Sequence, residues 1–137
     1  MLASVLDYLS GLPAFAIYFI LSLALLGAFA FTFSWLTPHR EWQLIRNNVP
    51  AAALAFGGTL LGFVLPLASA MRVSVSALDY LLWALIAAVA QLVTFVVLRL
   101  LVPGLPQRLS NNEMASGILV ATMSVSIGVL NAAAISG

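Results

Sequence analysis

Four long stretches almost free of charge constrain this chain more than any other feature. They run over about 13–36, 49–71, 79–102 and 113–135, with only short connectors between them. A helix crossing hydrocarbon needs roughly 17–25 apolar residues, and each stretch reaches that length. With 64% hydrophobic and 7% charged residues and a mean hydropathy of +1.15, the chain departs from the roughly 45–50% apolar and 25% charged usage of soluble domains. The expected fold is an all-α polytopic membrane protein with four transmembrane helices in one membrane domain. No Lys or Arg precedes Arg40, and the first stretch is too long for a signal peptide's apolar region, so it is expected to be retained.

Several chemistries are excluded at once. There is no cysteine, hence no disulfide, no Cys-type zinc site and no thiol nucleophile. A net charge of +1 without a basic run offers nothing to a nucleic-acid backbone. His39 and Glu41 are the one local pair with catalytic chemistry, and they lack a third group. No His, Asp or Glu nearby completes a metal site. Catalytic, cofactor and metal residues are therefore expected to be absent, and the chain is read as not an enzyme.

Arg40 and Arg46 fall in the first connector, Arg99 and Arg108 flank the second long one, and Arg72 alone lies on the other side. Because basic residues favour the cytoplasm, this distribution predicts cytoplasmic connectors and both termini outside.

A shift of 64 positions lays Asn47 and Asn48 on Asn111 and Asn112, and the match continues through the following stretch: Gly58 meets Thr122, and Gly62 meets Ser126. The chain therefore reads as two tandem hairpins, 1–72 and 73–137, related by a pseudo-two-fold along the membrane normal. The Asn doublets are expected to be helix N-caps or a cytoplasmic polar cluster. "SVLD" at Ser4 and "SALD" at Ser76 have the spacing of a capping box. Gly58, Gly62, Thr122 and Ser126, the last two flanked by Gly117, Ala121, Ser124 and Gly128, should allow close helix packing, with the second and fourth spans at the centre. Trp35, Trp42, Tyr80 and Trp83 are expected to be interfacial anchors.

Gln91 lies about 12 positions into the third span, roughly 18 Å deep at 1.5 Å per residue, and needs a hydrogen-bond partner. Thr59, Ser124, a second copy or water in a pore are the options. Pro66 and Asn131 add a helix break and an amide near the outer end. The first connector, "TPHREWQLIRNN", carries His39, Arg40, Glu41, Trp42 and Arg46, and is expected to lie on the membrane surface as an anchor or a partner-docking segment.

That connector, with "ALAFGGTLLGFVLPLASA" from Ala53 and "DYLLWALIAAVAQL" from Asp79, resembles the YjfL family of small bacterial inner-membrane proteins. The resemblance covers nearly the whole chain and implies four spans, two copies of a domain of unknown function and an inner-membrane location. It transfers no catalytic residue. Related genes often neighbour those of PspA-like membrane-remodelling proteins and ATP-grasp ligases, which implies a partner role in envelope maintenance. The expected function is a homo-oligomeric scaffold in the lipid bilayer that docks a cytoplasmic or peripheral protein. The alternative is a small oligomeric channel or carrier for an ion or small solute.

Overall fold

The computed structural model describes residues 2–36 and 41–136. The expected docking residues His39 and Arg40, and the side chain of Glu41, lie outside the described residues. Every described element is a helix: α1 (Leu2–Ser10), α2 (Leu12–Leu36), α3 (Glu41–Arg46), α4 (Pro50–Val73), α5 (Ala77–Leu101), α6 (Leu105–Ser110) and α7 (Met114–Ser136). The long helices α2, α4, α5 and α7 correspond to the four expected spans, and the stretches apolar enough to cross a membrane are Leu2–Trp35, which holds α1 and α2, Pro50–Val73, Ala77–Leu101 and Met114–Ser136. The short helices α3 and α6 sit at one end of the bundle, and the α4–α5 turn sits at the other.

Helix α4 is the hub, because its composition lets neighbours approach from both sides. On one side it meets α7, and the close approaches run in the same order along both helices, so the two are parallel. A Cβ on Gly117 would lie 2.8 Å from the Ala51 oxygen, one on Gly58 would overlap the Ala121 Cα, and one on Gly128 would lie 2.7 Å from the Gly62 Cα. Lipid tails are as apolar as leucine, so burying apolar surface does not drive association here. Helices gain by bringing small residues into close contact.

The packing partner of Gly58 and Gly62 differs by a residue or two from the expected one. Thr122 and Ser126 are exposed, and α7 presents Gly117, Ala121, Ser124 and Gly128 instead. A 100° step per residue carries the pattern around the helix, so matching two spans by character does not fix which side each presents.

Larger side chains close the opposite side of α4. Phe63 stacks on Phe29 of α2 at 4.4 Å, and Phe33 of α2 meets Phe56 of α4 at 6.0 Å and Phe95 of α5 at 4.9 Å. Helices α2 and α5 thus both lie on one side of the α4–α7 pair. Tyr80, expected at the interface, is fully buried. Its hydroxyl meets Ser22 Oγ at 2.5 Å and its ring edge meets Tyr18, and a phenol with a polar partner can sit inside. Trp35 is exposed, and Trp42 packs edge-on against Phe56 at 5.2 Å, tying α3 to α4.

Half of the expected capping box at Ser76 forms: the Asp79 N–H donates to Ser76 Oγ, while Asp79 Oδ2 accepts from the N–H of Val75, one residue before the N-cap. Its echo at Ser4 does not, because Ser4 and Asp7 lie inside α1.

Candidate functional site

Two polar constellations stand out, one at the connector end and one deep in the bundle. At the connector end the Asn doublets do not open α4 and α7 as N-caps. They close α3 and α6. The Asn48 N–H donates to the Ile45 carbonyl and the Val49 N–H to that of Leu44, and 64 residues on (48 to 112) the Asn112 N–H donates to Leu109 and the Glu113 N–H to Arg108. This pair of bonds is a Schellman ending, which requires a left-handed residue. Asn48 and Asn112 supply it at φ 61° and 60°. Asn is as apt for this position as for an N-cap, since its short amide tolerates left-handed backbone.

Asn112 does a second thing. Its Oδ1 accepts from the Ala51 N–H at 3.1 Å, so the second half of the chain satisfies one of the free first-turn donors of α4. The doublet of one half thereby reaches the helix start of the other, where Val49 at the N-cap position brings no side-chain bond. Replacing Asn112 by alanine removes this bond and places a β-carbon in left-handed backbone, so a loss of about 1–2 kcal/mol is expected in unfolding from membranes. Asn112→Gly should lose less, because only the side-chain bond disappears. Arg108 completes this end, with Nη1 3.5 Å from Glu113 Oε1 and Nε donating to the Pro103 carbonyl.

The deep constellation centres on Gln91. It is fully buried, and Nε2 donates to two main-chain carbonyls, Gly62 on α4 at 3.0 Å and Ser124 on α7 at 3.1 Å. The Gly62 carbonyl is available for a reason written in the sequence. Four residues later stands Pro66, which has no N–H and cannot close the helical bond. The side chain of α5 replaces the donor that Pro66 removes.

Thr59 and Ser124, both fully buried, lie beside it with hydroxyls 3.4 Å apart, and Thr59 Oγ1 donates to the Ala55 carbonyl. Gln91 is therefore bonded within a single copy, to the expected Ser124 through its main chain and to Gly62. Gln91 Oε1 and Asn131 Nδ2 are buried without a partner. Among the described residues no group of three His, Asp or Glu could hold a metal ion.

On the side of the α4–α7 pair away from Gln91, a shallow groove of about 470 Å³ opens between Leu54, Gly57, Leu61, Thr122, Val125 and Ser126. A Cβ on Gly57 would meet nothing within 4 Å.

Residues 7–135 match the family model described as Domain of Unknown Function (DUF350). The chain belongs to this family. It is 46% identical over 125 residues to the UPF0719 inner membrane protein YjfL of Escherichia coli (strain K12), which covers 91% of this chain and 95% of the relative. The protein of that name from Escherichia coli O157:H7 matches equally. No solved structure matches. As a YjfL-family chain with four candidate spans, the molecule is an integral inner-membrane protein.

Proposed function

We propose that this protein is a non-enzymatic scaffold of the inner membrane, a homo-oligomer whose connector face turns to the cytoplasm and docks a soluble or peripheral partner in envelope maintenance. The observation that carries this reading is the state of Gln91. The deepest polar side chain joins three helices within one copy and is closed to solvent. A single copy therefore has a locked polar crossing where a conduit would need an open one. The docking side would carry Arg46 and Arg108 beside the four Asn residues, all exposed, in accord with the cytoplasmic preference of basic residues.

The recurrence of the Schellman turn 64 residues on (48 to 112) supports an internal repeat. The pseudo-two-fold then relates the α3–α4 and α6–α7 units. The flanking helices depart from it, since α2 and α5 share one side. The place that the two-fold would give α2 is the open groove along Gly57 and Thr122, and a helix of a second copy would fill it.

Charge reversal at Arg40 and Arg46 should abolish recovery of the partner in a membrane pull-down while protein levels stay normal; unchanged recovery would count against docking. Gly57→Phe, which has room in one copy, should shift the purified protein to a monomer by light scattering. An unchanged mass would remove the groove from the assembly.

A channel or carrier is the second reading, favoured by the outward-facing hydroxyls of Thr122 and Ser126. It places the path between copies. Liposomes holding the protein should then pass an ion or small solute, and absence of flux over a broad panel ends this reading.

A further inference from the structure

The helix α2 alone, at 25 residues, is about 37 Å long at 1.5 Å per residue, enough to cross roughly 30 Å of hydrocarbon. The nine residues of α1 are surplus to the crossing. Standing upright on α2, they would carry Leu2, Val5, Leu6 and Leu9 beyond the hydrocarbon, and these side chains are 48–74% exposed with no cover from the bundle. At 100° per residue the four fall within one arc of about 100°, while Ser4 and Asp7 occupy the other side and Ser10 lies at its edge.

The helical ladder is also interrupted where α1 meets α2. Ser10 Oγ donates to the Asp7 carbonyl at 2.7 Å, the Gly11 N–H turns to Tyr8 at 3.2 Å, and Pro13 has no N–H for Leu9. A short amphipathic segment set off by Gly and Pro from a helix that already spans is built to change direction.

We propose that α1 lies flat in the headgroup boundary of the leaflet opposite the connectors, with Leu2, Val5, Leu6 and Leu9 among the acyl chains and Asp7 in water. Its partner is the phospholipid surface itself, because the apolar arc is too short to cross, the bundle leaves it uncovered, and the ladder break lets it reach the bilayer beside α2.

The absence of cysteine makes the test direct. Nitroxide labels at Leu6→Cys, Asp7→Cys, Leu9→Cys and Ser10→Cys sit on exposed positions, so the fold should persist, and Thr32→Cys serves as a folded, lipid-facing reference. In phosphatidylethanolamine–phosphatidylglycerol liposomes, the ratio of oxygen to nickel-chelate accessibility should be several-fold higher at 6 and 9 than at 7, with 10 between. A smooth change along the chain without alternation would mean that α1 continues the span. Equal nickel access at all four would mean that it stands in water, and low access to both reagents at 6 and 9 would mean that another protein covers it. Each of these three results overturns the proposal.

Discussion

Gly128→Ala should separate the two central helices and lower resistance to unfolding in bilayers or micelles by about 1–3 kcal/mol, the usual cost of forcing added volume into a packed contact. The added carbon would overlap the Gly62 carbonyl oxygen and lie 2.9 Å from its carbon, and both are backbone, so no side chain can swing aside. Gly62→Ala should behave alike, because its Cβ would lie 2.8 Å from the Ser124 carbonyl carbon and 2.9 Å from Gln91 Oε1. Gly27→Ala, whose Cβ would meet nothing within 4 Å, is the control and should show no loss. Steric-trap unfolding of the three variants checks this. Equal stabilities would mean that the glycines at the crossing have no packing role.

The second large effect is expected at Gln91→Leu. This change leaves the Gly62 carbonyl with neither its helical donor nor its side-chain one, at a cost of about 1–3 kcal/mol for a buried unpaired group. The Oε1 atom, already without a partner, is removed as well, which offsets part of the loss. The diagnostic comparison uses Pro66→Ala, which returns an N–H at the position facing the Gly62 oxygen. In that background Gln91→Leu should cost clearly less, and the coupling energy should match one interhelical hydrogen bond, about 0.6–2 kcal/mol. Additive losses would show that Gln91 stabilises by packing and not by replacing the missing donor.

The spans were readable because length and hydropathy set them: the expected 49–71 and 113–135 became Pro50–Val73 and Met114–Ser136. The glycine faces of α4 were readable for a similar reason, since few other residues allow such approach. The Asn doublets show where reading stops. Asn suits both a helix start and a left-handed helix end, so its identity marks a boundary without saying which helix it belongs to. The burial of Tyr80 is not legible in the sequence, because interface enrichment is a statistical tendency, and one serine on another helix, Ser22, is enough to bring a phenol inside the bundle. The partner of Gln91 was partly legible: a proline four residues after a glycine in a membrane helix announces an orphan carbonyl. That Gln91 is the side chain that reaches it depends on helix packing.

The bond from Ala51 to Asn112 links residues 61 apart and has a consequence for biosynthesis. While the ribosome is still making the second half, the first two spans have left it with the start of α4 lacking that acceptor, and with the Gly62 carbonyl awaiting Gln91. The amino-terminal half therefore enters the membrane as an incomplete body, and later synthesis supplies both missing partners. A nascent chain arrested before residue 91 should be more accessible to membrane proteases and chaperones than one released in full.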